Sequence, residues 1–156
     1  MALPSENLKK LGIELPEVAA PVAAYVPAVI DRGVVRTSGQ LPFVDGSLIM
    51  EGAVGDGGAS AEQAKEAAKI AALNCVAAAA SLVGGVDKLE GCVKVVGFVS
   101  SLPDFYAQPA VVNGASEILG AIFEDSHARS AVGVAVLPLN SSVEIEAEFR
   151  IKGAND

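Results

Sequence analysis

Tryptophan is absent from this chain of 156 residues, histidine occurs once (His127), cysteine twice (Cys75 and Cys92), and aromatics make up only 4%. Each scarcity excludes something. Two cysteines are too few for a disulfide framework and one imidazole is too few for a histidine-based metal cluster, so reduced thiols and no bound metal are expected. So small a supply of rings offers little stacking surface for single-stranded nucleic acid. Cations are scarce too: 11 Lys and Arg stand against 19 Asp and Glu, and the net charge of −8 repels a phosphate backbone. Nucleic acid is therefore not an expected partner. The first ten residues, MALPSENLKK, lack the apolar stretch of a signal peptide. The longest uncharged run, Ile70 to Val86, is short, rich in Ala and interrupted by Asn74, Ser81, Gly84 and Gly85, which suits a buried helix with a glycine stop better than a membrane span. A cytoplasmic protein without membrane contact is the expectation. What is abundant is small apolar side chain: 51% of residues are hydrophobic, mostly Ala and Val, ample for the core of one domain over residues 1–156.

The pattern along the chain predicts an α+β layer. Residues 1–16 read as an accessory segment, a short helix that Ser5 would cap and Gly12 would close, followed by an extended run to Pro27 that Pro16, Pro21 and Pro27 keep out of helix and sheet. Ala28 to Ile30 and Val34 to Gln40 read as strands about an Asp31-Arg32-Gly33 turn, with a third strand near Ser47 to Met50. Ser60 and Gln63 form a capping-box signature that opens a long helix from Ala61 to about Val83, whose Ala-rich face can lie close on a sheet. Cys92 to Ser100 reads as a strand and Gln108 to Phe123 as a second helix. Ser130 to Val136 is apolar on both faces, whereas Val143, Ile145, Ala147, Phe149 and Ile151 alternate with charged residues. A hairpin through Leu137 to Ser142 would join those two strands. Both long helices then cover one face of a mixed sheet, and the other face is most simply buried by self-association.

Little recognisable chemistry is present in the motifs taken one at a time. Gly52, Gly55, Gly57 and Gly58 lack the preceding strand and the following Lys-Ser/Thr of a phosphate loop, and read as a flexible loop. His127 has no evident partner for a triad, and a surface or cap role fits it better than general-base work. Arg129 is different: a guanidinium at the start of an otherwise uncharged strand needs either a buried ion-pair partner or an anionic ligand. Glu144, on the alternating strand, reads by itself as part of a solvated face.

In combination, Thr37-Ser38-Gly39-Gln40-Leu41-Pro42, Asn113-Gly114-Ala115-Ser116, Ala128-Arg129-Ser130-Ala131-Val132-Gly133-Val134, Leu137-Pro138 and Val143-Glu144-Ile145-Glu146-Ala147 resemble the RidA/YjgF family, formerly called endoribonuclease L-PSP, and specifically its longer branch. The resemblance runs from about Tyr25 to Lys152. It implies a chorismate-mutase-like fold, a homotrimer with inward-facing sheets, ligand clefts between subunits and no cofactor. It further implies that Arg129 binds a substrate carboxylate, that Glu144 holds an attacking water, and that Tyr25, Ser38, Gly39 and Asn113 line the cleft. The reaction of active members is hydrolysis of a reactive 2-imino acid to a 2-keto acid and ammonia. Ala131 stands where the best-known branch has cysteine, and Gly133 replaces a larger polar residue, which together suggest a wider cleft.

The alternatives are a non-catalytic regulatory binder of small carboxylic acids and the endoribonuclease of the old family label. The acidic charge and the single histidine weigh against ribonuclease chemistry, which without metal needs two acid–base groups and a basic groove. If the last two strands form a hairpin about Leu139 and Asn140, Ala135 lies opposite Glu144 and Arg129 opposite Arg150. Arg129 and Glu144 are then roughly 20 Å apart at about 3.4 Å per step, too far for one small substrate, so a site using both must be shared between chains.

Overall fold

The computed structural model describes residues 1–18 and 24–154. Part of the expected extended run, 19–23, thus lies outside the described residues. Among the described residues three α-helices accompany a five-stranded sheet and a separate two-stranded ribbon.

Helix α1, Pro4–Lys10, begins two residues earlier than a Ser5 cap would place it: Pro4 takes the first turn, where a missing N–H costs nothing, and the Glu6 carboxylate accepts from the Leu3 amide at 3.0 Å. Ser5 is instead used for tertiary anchoring, its hydroxyl and amide both donating to Asp87 at 2.6 and 2.9 Å. Strands β1 (Ala28–Asp31) and β2 (Val34–Thr37) pair antiparallel across Arg32 and Gly33, at φ 51° and 79°. Two successive left-handed residues match the twist of a two-residue hairpin. The expected third strand is shorter, Ser47–Leu48 (β4), and pairs only with Phe43–Val44 (β3) outside the main sheet.

Helix α2 covers Ala61–Val83, where Ser60 Oγ accepts from the Gln63 amide at 3.4 Å and Gly84 (φ 88°) closes the C-terminus. The capping box is half made, because the Gln63 side chain does not bond back. Ala64, Ala67, Ala68, Ala71, Cys75, Ala78 and Ala79 are all buried, as their face predicts. Among the described residues α2 is the one helix long and apolar enough to cross a membrane, and most of its apolar stretch is buried inside the fold.

Strand β5 (Leu89–Ser100), helix α3 (Gln108–Phe123), strand β6 (Ala128–Val134) and strand β7 (Val143–Ile151) complete the chain. The sheet order is β1-β2-β7-β5-β6, with β5 and β6 parallel. A parallel pair needs a crossover, which α3 supplies. The order corrects the expected hairpin: β6 and β7 are not neighbours, since β5 lies between them. Arg129 is opposite Val95 rather than Arg150, and Glu144 is opposite Phe98 rather than Ala135. The connection carries the chain past the end of β5, where Ser142 Oγ donates to the Gly52 carbonyl at 2.7 Å and the Ser100 amide to the Ser142 carbonyl at 2.9 Å. The same loop corrects the flexible reading of the glycine-rich segment. Val54 is fully buried and is tied by its amide to the Ser100 carbonyl and by its carbonyl to the Leu102 amide.

The core lies between the two long helices and one sheet face, where Val95, Val99, Val143, Ile145, Ala147 and Phe149 are buried. Strand β6 is not buried on both faces as its composition suggests; it is the sheet's edge, and Val132 remains 42% exposed. Gly114 in the Asn-Gly-Ala-Ser motif is explained by packing. It lets α3 approach the backbone of α2 so closely that a Cβ there would collide with the Lys65 carbonyl. Because that obstacle is main chain and cannot swing aside, Gly114→Ala is expected to destabilise the fold by about 3 kcal/mol, at the high end of overpacking costs, read as a lower urea midpoint with unchanged slope.

Candidate functional site

Arg129 enters β6 on the helix side of the sheet, in the same cross-strand row as buried Val95 and Ala147. Its guanidinium lies against one face of α3. Nη1 donates to Asn113 Oδ1 at 2.7 Å and to Ser116 Oγ at 3.3 Å, and Nη2 donates to the Pro109 carbonyl at 3.3 Å. Positions 109, 113 and 116 follow at steps of four and three, which places them on one helical face. All three acceptors are neutral. Among the described residues no carboxylate pairs with Arg129, so the ion-pair explanation of this half-buried cation finds no partner here. Three of its five N–H groups are engaged, which leaves Nε–H and one Nη2–H, a number that suits a two-pronged carboxylate.

The second group of expected residues gathers elsewhere. Glu144 faces the opposite side of the sheet, since its neighbours Val143 and Ile145 point into the core. Its carboxylate leans over Gly39, at a position a side chain there would occupy. This close approach is the reason for glycine in Ser-Gly-Gln, and the Gln40 amide, donating to the Ile145 carbonyl at 2.7 Å, fixes the loop beside β7. Ser38 Oγ donates to the Val26 carbonyl at 2.6 Å, which ties the segment carrying Tyr25 to the same corner, with Tyr25 itself 55% exposed. Partial burial, and then the nearby Glu146 carboxylate, push the Glu144 pKa up from its ordinary value.

Within one protomer the two groups do not meet. Between Arg129 and Glu144 lie two strand spacings of about 4.8 Å and three residue steps of about 3.3 Å, or roughly 14 Å, in addition to the thickness of the sheet. The hairpin-based figure was therefore too long, but separation onto opposite faces is the stronger obstacle. Gly133 does not widen a cleft: the Gln108 amide and the Ser101 hydroxyl occupy the space beside it, joined to each other at 3.2 Å. Gln108, Ser116 and His127 were not picked out from the sequence as site residues. The i, i+3 relation of Ser116 to Asn113 was the available signal.

Other reactive groups are accounted for by burial. Cys75 and Cys92 have thiol pKa values pushed up to about 12 by burial, so neither is a ready nucleophile. Among the described residues no cluster of three His, Cys, Asp or Glu side chains could hold a metal ion.

The family model described as "YjgF/chorismate mutase-like, putative endoribonuclease" matches residues 5–148. The chain belongs to this family. The match reaches back into α1 and extends through most of β7, so both groups of site residues fall within it. Trypanosoma cruzi Protein TCP17 is 39% identical over 144 residues, covering 90% of this chain and 89% of that protein. A crystal structure of an Agrobacterium tumefaciens protein of unknown function superposes with a TM-score of 0.85 at 39% identity, covering 96% of this chain and 92% of the other. RidA from the Antarctic bacterium Psychrobacter superposes with a TM-score of 0.61 at 28% identity, covering 86% and 94%. The expected family and its chorismate-mutase-like α+β fold are thus borne out for this YjgF-family chain.

Proposed function

We propose that this YjgF-family protein is a homotrimeric enamine/imine deaminase that hydrolyses 2-imino acids to 2-keto acids and ammonia in clefts between subunits. The observation that carries the reading is a guanidinium held by three neutral acceptors, with two N–H groups to spare and no carboxylate of its own chain among the described residues. Arg129 anchors the substrate carboxylate. Glu144 of a neighbouring subunit orients a water against the C=N carbon and passes one of its protons to nitrogen as the C–O bond forms, then passes the remaining hydroxyl proton to nitrogen as the C–N bond breaks and ammonia leaves. The balance is one imino acid and one water in, one keto acid and one ammonia out, with no change of oxidation state. Positioning an acid and a water within reach of each other supplies much of the rate for so electrophilic a substrate. Tyr25, Ser38 and Gly39 shape the cleft wall around Glu144, and Asn113 holds Arg129.

Trimer formation is supported by the uncovered sheet face and the edge strand. Val96 and Phe98 share that face with Val132, and Val136, Leu139 and Tyr106 remain 76%, 66% and 81% exposed in the protomer. Such an apolar edge in a chain of this charge is best explained by other copies of itself. Light scattering at micromolar concentration is expected to give three times the chain mass, and ammonia release from imino acids generated in situ is expected to accelerate above the uncatalysed rate. A monomeric mass removes the shared cleft. Tight keto-acid binding without turnover replaces the deaminase with the carboxylate-binding alternative.

A further inference from the structure

Next to the Arg129 guanidinium lies a histidine that the proposed reaction does not use. His127 Nε2 is 2.9 Å from Ser116 Oγ, the same hydroxyl that accepts from Arg129 Nη1 at 3.3 Å. Imidazole, hydroxyl and guanidinium therefore form one continuous chain along α3. The other ring nitrogen, His127 Nδ1, is fully buried and has no hydrogen-bond partner among the described residues.

We propose that Ser116 and His127 are positioning residues for Arg129, and that they make anion capture at this guanidinium proton-linked: as an acid docks on Arg129, the His127 imidazole takes up a proton. The proposal rests on the reading of Arg129 as the carboxylate anchor.

The free protein disfavours imidazolium for two geometric reasons. With the neutral ring's proton on Nε2 and donated to Ser116 Oγ, Nδ1 is bare, and a doubly protonated ring would place an N–H there with no acceptor among the described residues. It would also set a second cation one hydroxyl away from the guanidinium. The His127 pKa is accordingly held below the ordinary imidazole value, first by burial and then by the Arg129 charge, with Asp125 acting in the opposite direction. These are the charged groups that face the ring: Arg129 two residues ahead on β6 and Asp125 two residues behind, while α3 contributes the neutral Ser116. Asp125 is itself occupied by Arg150 of β7. A docked carboxylate cancels much of the Arg129 charge, so the ring's proton affinity rises on binding. Linkage then requires the reverse, with protonated protein binding the acid more tightly by the same factor. Affinity therefore increases as pH falls through the His127 midpoint, which lies below about 6.5.

One histidine in the chain makes this directly measurable, because its imidazole C–H proton signal needs no assignment. We would titrate pH by proton NMR for the free protein and in saturating pyruvate or sulfate, following backbone amides to register binding separately. The expected result is a free midpoint below the ordinary value that rises by about half a unit with either anion, equivalent to roughly threefold tighter binding by the protonated form. Arg129→Gln should raise the free midpoint and abolish the anion response. Ser116→Ala should weaken pyruvate binding several-fold, and Ser116→Thr, which keeps the hydroxyl, should restore it. Both anions binding with an unmoved His127 midpoint overturns the linkage and leaves the substrate reading intact. An unmoved midpoint in Arg129→Gln overturns it equally. A shift with sulfate but no binding of pyruvate keeps the proton-linked anion site and removes the keto-acid reading; binding of neither anion removes both.

Discussion

Arg129→Ala is expected to lower kcat/KM for imine hydrolysis by two to four orders of magnitude and to abolish measurable keto-acid binding, with the fold retained. The size follows from the contacts. Two charge-assisted hydrogen bonds to a carboxylate, at about 1.5–3 kcal/mol each, amount to about 3–6 kcal/mol of lost binding in the transition state. The fold should survive because Asn113 and Ser116 are only half-buried and water can take the place of the guanidinium. Arg129→Lys should recover little, since an ammonium is a point charge and cannot both hold the α3 acceptors and present a two-pronged edge. Steady-state kinetics with imino acid generated in situ, calorimetric titration with pyruvate, and a thermal melt of the same samples make the check. If the Ala variant unfolds while the wild-type protein binds no carboxylate, Arg129 is structural, and the catalytic assignment falls with it.

What the chain discloses before folding is mostly local. Ser60, Gly84 and Gly85 delimit α2 because a cap and a left-handed stop act on their own few residues, and the bounds of α3 follow from a 3.6-residue apolar repeat. The alternation in β7 correctly assigns Val143, Ile145, Ala147 and Phe149 to the core. Strand order is a different kind of information. Nothing in residues 128–151 records that β5, some thirty residues earlier, inserts between β6 and β7, because the choice between a hairpin and a crossover is made by tertiary pairing. The apolar character of Ser130 to Val136 also misled for a physical reason. Hydrophobicity states that a strand is to be removed from water, not whether its own chain or another will cover it. The functional motifs were legible as a set, yet their roles divide in a way only packing reveals. In Asn113-Gly114-Ala115-Ser116 the middle pair serves contact within the fold, and the outer pair holds Arg129.

That division bears on how the two separated groups of residues could act together. In a cyclic trimer each site would take Arg129 from one subunit and Glu144 from the next, so an Arg129→Ala homotrimer and a Glu144→Ala homotrimer should both be inactive. Mixing changes the outcome. Around any trimer containing both variants, one of the three interfaces places an intact Arg129 beside an intact Glu144, one lacks both residues, and one lacks a single residue. After full exchange of equal amounts, three-quarters of trimers are mixed, and about one quarter of the wild-type number of complete sites is recovered. Activity should therefore return from background to about a quarter of wild type, a gain of at least tenfold that dilution of either variant cannot produce. Differently tagged subunits, co-purified after mild denaturation and refolding, would establish exchange independently of activity. Proven exchange without recovery would place both residues in one protomer's site, which the opposing faces of β6 and β7 could accommodate only if the sheet rearranged on binding. It would thereby reject the shared cleft.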